Sequence, residues 1–277
     1  QAEDGIRDQP RSRGLGDVYK RQEYIEPKDN GLTFVFVNAL TGSTTTWNNE
    51  IGKKIIDQGS GYLAYNFRGQ DNSKFDEKID LNTDIIVSDL CLLIEKLQLE
   101  NIILVGLSIG GLYATLALEK GIKVLGLVLI NTLRKNNLRL NWINETMVNV
   151  ASYGGTSLLM DFNMPVIASP SFLEKMKPNA LNPKNYEGLD KNSGIFKLMK
   201  GSLTANWDID WSRIDVPVLI MTGHYDKVFR IPNDIDEIAN SIKKIERIEL
   251  TDCGHLIPIE KPNLFADHII RFAKKLG

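Results

Sequence analysis

Gly106-Leu107-Ser108-Ile109-Gly110 is the segment of this chain whose residue types and spacing point most directly to chemistry. It follows a short apolar run at 101–105 and opens a stretch of helical character at 109–120. A serine on a sharp strand-to-helix turn is lifted clear of the sheet. The N–H of the next residue then points where a carbonyl oxygen would gain charge. Glycines two residues to either side remove the Cβ atoms that would clash in so tight a turn. Chance supplies the bare pattern in about one of ten chains of this length. The flanking strand and helix and the further Gly111 raise it above that background, against the plain reading of a βα turn packed closely on glycines.

A serine hydroxyl is a weak nucleophile and needs a base, usually a histidine held by a carboxylate. The chain has three histidines. His255, in Asp252-Cys253-Gly254-His255, follows the strand-like residues 245–250 and is the candidate base. Asp226, in Gly223-His224-Tyr225-Asp226, follows the strand-like residues 218–221 and is the candidate acid. Asp252 is too near His255 in sequence to face its ring. Asn131 also ends a strand, but an amide does not stabilise an imidazolium. His268 reads as a surface or packing residue, and no role follows for His224.

The elements needed to position these groups are legible in the pattern. Strands are expected at 32–37, 61–67, 101–105, 124–130, 217–221 and 245–250, mostly as continuous apolar runs of the kind buried on both faces. Helices are expected near 47–57, 82–97, 109–120, 232–242 and 262–276. Strands alternating with helices imply a mostly parallel sheet flanked by helices, an α/β fold. Residues 132–212 show helical patches and no clear strand, and read as a helical cap inserted over the sheet.

Composition narrows the class. The 277 residues carry a formal net charge of −2 and are 43% hydrophobic. This is ordinary for one globular domain and gives no sign of a nucleic-acid or membrane partner. Cys91 and Cys253 lack metal or redox spacing and read as free thiols of a reducing, cytoplasmic compartment. No metal motif, dinucleotide fingerprint or phosphate loop occurs, so no cofactor is implied. Residues 1–22 have no helical or strand period and too few apolar residues to pack. They read as a disordered tail or an adaptor-derived artefact, with the folded domain spanning 23–277.

From about Leu32 onward the sequence resembles the α/β-hydrolase superfamily. Four segments carry the resemblance: Asn38-Ala39-Leu40-Thr41-Gly42-Ser43, Gly106 to Gly111, Gly223 to Asp226, and Gly254-His255 with Glu260-Lys261-Pro262. The resemblance implies an α/β-hydrolase fold, a Ser108–His255–Asp226 triad, and an oxyanion hole made by the backbone N–H groups of Leu40 and Ile109. Two departures stand out. Relatives usually have His-Gly at Asn38-Ala39. They read Asp-x-Arg-Gly-His-Gly-x-Ser where this chain has Phe67-Arg68-Gly69-Gln70-Asp71-Asn72-Ser73, a loop taken as structural. The Asn38-Ala39-Leu40 run, with Trp47 nine residues on, is similar to the 3-oxoadipate enol-lactonase and esterase branch and suggests a small ester or lactone as substrate.

Within 132–212, Met147, Met160, Met164, Met176 and Met199 are candidates for an adaptable apolar pocket. Trp142, Arg134 and Arg139 are candidates for substrate binding, the arginines and Lys135 for holding a substrate carboxylate. Three readings compete. One is ester or lactone hydrolysis through an acyl-enzyme. Another is transfer of the same acyl group to a different acceptor (acyltransferase or perhydrolase), or C–C bond hydrolysis. The last is a binding module that keeps the fold, which would not require all three of Ser108, Asp226 and His255.

Overall fold

Strand residues point alternately to the two faces of a sheet, so a strand apolar throughout must be covered on both. That condition organises the molecule. The computed structural model describes residues 22–71 and 73–276. Its seven strands are β1 (Gln22–Ile25), β2 (Thr33–Val37), β3 (Gly61–Tyr65), β4 (Ile102–Leu107), β5 (Gly126–Ile130), β6 (Val218–Gly223) and β7 (Ile245–Leu250). They lie in the order β1-β3-β2-β4-β5-β6-β7, all parallel except β1, which pairs antiparallel with β3.

The helices follow as crossovers. They are α1 (Glu50–Asp57), α2 (Thr83–Lys96), α3 (Ile109–Glu119), α4 (Leu138–Ile167), α5 (Pro170–Met176), α6 (Gly194–Ser202), α7 (Pro232–Ser241), α8 (Ile257–Glu260) and α9 (Pro262–Ala273). Val35, Leu63, Leu104, Leu127 and Ile220 pack with α2, α3 and α7 on one face. Their neighbours Phe34, Phe36, Ile103, Val128 and Leu219 pack with α1 and α9 on the other. Adjacent residues of one strand thus feed two cores, which is why the apolar runs are unbroken.

Two strands depart from the expected pattern. β1 was not anticipated: it is a four-residue, half-exposed edge strand with only Tyr24 and Ile25 apolar, too short for a period to show. Its first residue, Gln22, pairs with Tyr65, so the sheet begins within the stretch read as a tail; residues 1–21 lie outside the described residues. β7 is not a continuous apolar run. It alternates, with Glu246 and Glu249 among its residues, because it is the opposite edge.

Between β5 and β6 the described residues form helices α4 to α6 and short 3-10 turns, with no strand. α4 breaks at Gly155, whose φ of 68° lies outside the helical region. Because the strands are parallel, the loops after β2, β4, β5, β6 and β7 open at one end of the sheet, where open α/β sheets form their sites.

Candidate catalytic site

Ser108 sits between β4 and α3 at φ 56° and ψ −120°, a conformation costing a non-glycine residue about 1–3 kcal/mol. The surroundings hold it there. Its N–H donates to Ile130 O (2.8 Å), and Thr132 Oγ1 donates to its carbonyl (3.0 Å). The flanking glycines are required by contact. A Cβ on Gly106 would lie 2.4 Å from Gly111 Cα, and one on Gly110 2.3 Å from Val37 O.

Asp226 and His255 come from the loops after β6 and β7. Asp226 Oδ2 lies 2.6 Å from His255 Nδ1, while Oδ1 accepts the N–H groups of Val228 (3.1 Å) and Phe229 (2.8 Å). The carboxylate is therefore fixed by its own turn and offers its second oxygen to the imidazole. Burial drives this carboxyl upward. The charge and hydrogen bond of His255, the Phe229 N–H and nearby Arg134 outweigh burial and hold it below the usual carboxylate range. With Nδ1 engaged, Nε2 is the nitrogen left to exchange a proton with a hydroxyl.

The histidine loop is braced from three sides. Asn131, at φ 47°, donates from Nδ2 to Gly254 O (3.2 Å) and His255 O (2.8 Å) and accepts Gly223 N–H (3.0 Å). It is not an acid here; it ties the β5, β6 and β7 ends together. Glu260 accepts Gly254 N–H (3.1 Å) and Ser169 N–H (3.0 Å), and His255 N–H donates to Ile167 O (2.6 Å).

Leu40 lies in the loop after β2 and Ile109 directly follows Ser108, and both face the same cavity. Neither backbone N–H meets a backbone or side-chain acceptor among the described residues. Ile109 is the first residue of α3, so its N–H belongs to the unpaired end of a helix. Ser108, His255, Leu40 and Ile109 together line a cavity of about 330 Å³ with Met147, Met160, Met164 and Met199, within the range of small-molecule pockets. Met176, the last residue of α5, does not reach it and packs against the cluster of Met164, Ile167 and Val228 instead.

Arg134 is at the centre of this site. It is 6% exposed, and its guanidinium lies 4.4 Å from the Trp207 ring centroid and 4.5 Å from that of Phe229. Nε donates to Thr132 O (3.2 Å), and Nη2 donates to Asn131 O (2.9 Å) and to Ser108 Oγ (3.2 Å). Nη1 has no partner among the described residues. Burial lowers its pKa to about 10, with nearby Asp226 opposing the shift. It remains a cation at neutral pH.

The other substrate-binding candidates lie elsewhere. Trp142 is 71% exposed and does not line the cavity, because it falls on the outer face of α4. Arg139 donates to Val228 O (2.9 Å) and Lys227 O (3.1 Å) and braces the loop carrying Asp226. Lys135 pairs with Glu237, His224 with Glu249, and Asp252 with Lys261, all at the surface. Sequence reasoning missed Trp207 and Phe229 as Arg134's stacking partners, and Asn131 and Glu260 as braces. Trp207 was visible only as one aromatic of an irregular segment.

A family model described as "alpha/beta hydrolase fold" matches residues 33–262. The chain belongs to the α/β-hydrolase family. Among solved structures, this α/β-hydrolase resembles a thermophilic esterase from Thermogutta terrifontis, determined with malate bound (TM-score 0.78, 18% identity, 96% of each chain covered). It also resembles the enol-lactonase of Burkholderia xenovorans LB400 (TM-score 0.77, 19% identity, 94% of this chain and 98% of that one). A Mycoplasma genitalium protein carrying an esterase/lipase name is 23% identical over 258 residues, 91% of this chain and 92% of its own. Among the described residues no helix is long and apolar enough to cross a membrane, and no cluster of His, Cys, Asp or Glu could hold a metal ion.

Proposed function

We propose that this α/β-hydrolase cleaves a small carboxylic ester or lactone through an acyl-enzyme on Ser108. The observation that carries the reading is the 2.6 Å contact of Asp226 and His255 behind a strained serine opening on the same cavity. His255 Nε2 takes the Ser108 proton as Oγ attacks the carbonyl. The N–H groups of Leu40 and Ile109 receive the negative charge on the carbonyl oxygen. His255 then returns its proton to the departing alkoxide, and water repeats the cycle on the acyl-enzyme. Helices α4 to α6 act as the cap, α4 and α6 closing the apolar side of the cavity.

The test is direct. The protein is incubated with a fluorophosphonate and digested, and the adduct is mapped by mass, beside turnover of p-nitrophenyl acetate, butyrate and octanoate. One adduct on the Ser108 peptide with turnover of the short esters is expected. A folded protein that gives neither would end the hydrolase reading.

Arg134 gives the substrate reading more detail. A buried cation stacked between two rings, with Nη1 unpartnered beside the nucleophile, suits a carboxylate on the acyl portion of the substrate. A charged hydrogen bond contributes about 1.5–3 kcal/mol, or a factor of about 10–100. Arg134→Met is expected to raise KM for a monoester of a dicarboxylic acid by that factor and to leave KM of the matching neutral ester within about twofold. Malate, bound in the T. terrifontis esterase, is a suitable competitor. Equal changes for both esters would remove Arg134 from substrate recognition.

A further inference from the structure

Two loops singled out in the sequence, 38–43 and 67–73, meet in space. Asn38, just past β2, and Gln70, in the loop after β3, are both buried, and Asn38 Nδ2 donates to Gln70 Oε1 at 3.0 Å. The hydrogen bonds around them leave one consistent orientation for both amides. Trp47 Nε1 is a donor with no acceptor capacity, and it lies 2.7 Å from Asn38 Oδ1. Asn38 must therefore turn its oxygen to Trp47 and its Nδ2 away, toward Gln70 and the carbonyl of Tyr65 (2.9 Å). Gln70 must meet that Nδ2 with its oxygen, which also accepts the Phe67 N–H (2.9 Å). Only Nε2 then remains for the loop after β2. It donates to Ala39 O and to Leu40 O, at 2.9 Å each.

This last pair of bonds bears on catalysis. In a trans peptide the C=O and the following N–H point in opposite directions, and no cis peptide occurs among the described residues. Ala39 C=O held toward Gln70 turns the Leu40 N–H to the far edge of that plane. A loop of Thr, Gly and Ser residues has no ladder of its own to fix such a direction. Among the described residues the only other hold on the Ala39 carbonyl is Gly42 N–H at 3.0 Å, which comes from within the same loop.

We infer that Trp47, Asn38 and Gln70 form a relay of fixed amide orientations that aims the 39–40 peptide, so that Gln70 is a positioning residue for the Leu40 oxyanion donor. The inference rests on the proposed acyl-transfer reading for its kinetic consequence but not for its geometry. An oxyanion donor contributes about 10²–10³ in rate, and only when aimed in advance. Gln70 touches no reacting atom; its contribution is direction.

Gln70→Glu separates the relay from simple packing. The variant has the same shape and keeps an oxygen for Asn38 and Phe67, and at a pH high enough to ionise it, where it is compared with the parent, it presents a second, proton-free oxygen to two carbonyls. Its 39–40 peptide is expected to rotate in a crystal structure, with the Ala39 carbonyl leaving residue 70. The acylation rate is expected to fall about 10²-fold at a KM within about twofold. Affinity for a trifluoromethyl ketone, which forms a tetrahedral oxyanion on the serine, should fall by the same factor. Trp47→Phe keeps a ring stacked on Phe36 and tilted against Phe265 but removes the donor that sets the relay, and should show a smaller loss of the same kind, about 10-fold. An unmoved 39–40 peptide would overturn the relay whether or not any ester is turned over. Slower acylation with undiminished ketone affinity would overturn it as well. Absence of a Ser108 adduct in the parent would instead count against the hydrolase reading, and the peptide orientation would still decide the relay.

Discussion

Ser108→Ala is expected to abolish turnover, by about 10⁶ in kcat, while leaving the fold intact, and Ser108→Gly to be equally inactive but more stable than the parent. The first part follows from chemistry: alanine removes the Oγ held at the β4–α3 turn, and a methyl group cannot form the acyl-enzyme. The second follows from the backbone. At φ 56° and ψ −120° a Cβ is strained, and glycine relieves that strain. Glycine also gives the unfolded chain more freedom, which takes back part of the gain. A net stabilisation of about 1 kcal/mol, or about 2–4 °C in Tm, is expected for a chain of this size. Both variants leave Arg134 Nη2 one acceptor short, a small loss in a cavity that admits water. Tm by calorimetry and turnover of p-nitrophenyl butyrate check the pair. A Ser108→Gly less stable than the Ser108→Ala variant would show that the turn stores no strain at this residue. Substantial turnover in Ser108→Ala would move the nucleophile elsewhere.

What the sequence displays well is what period and punctuation can encode. Five of the seven strands show as apolar runs because both their faces are buried, and the Gly-x-Ser-x-Gly turn shows because sterics leave little choice at Gly106 and Gly110. Ser108, Asp226 and His255 are legible because each stands just past a strand of one parallel sheet, so chain order alone assigns them to one end. β1 escapes this logic: an edge strand half exposed to water needs no apolar run.

The substrate-side residues escape it for a different reason. Arg134 and Arg139 are five apart in a polar stretch and look equivalent in sequence. One is enclosed by Trp207 and Phe229, from segments about 70 and 95 residues downstream, and the other caps carbonyls on the Asp226 loop. Which arginine turns inward depends on those distant rings. Likewise Asn131 is an inadequate acid by its chemistry. Its value as a brace appears only when Gly223 and His255 are seen on either side of it.

The same dependence on a partner makes Asp226→Asn the second informative variant, expected to fold normally and to lose about 10⁴ in kcat. The asparagine Oδ1 can still accept the Val228 and Phe229 N–H groups, so the loop keeps its shape. What it offers His255 Nδ1 is then an NH₂ donor. The imidazole must answer with an unprotonated Nδ1, which puts its proton on Nε2, facing the serine it should deprotonate. The charge that would stabilise the imidazolium is gone as well. Stability carries a separate signature. The Asp226 carboxyl is held below its ordinary value of 3.8, so its ionised form stabilises the fold above that pH, and the contribution is lost as pH falls through the lower folded value. The variant has no such group. The difference in Tm between parent and variant should therefore shrink as pH falls below about 4. A turnover within tenfold of the parent's would take the acid's role from Asp226. A Tm difference that did not change at low pH would mean that its carboxyl is not held ionised by His255 and the Phe229 N–H.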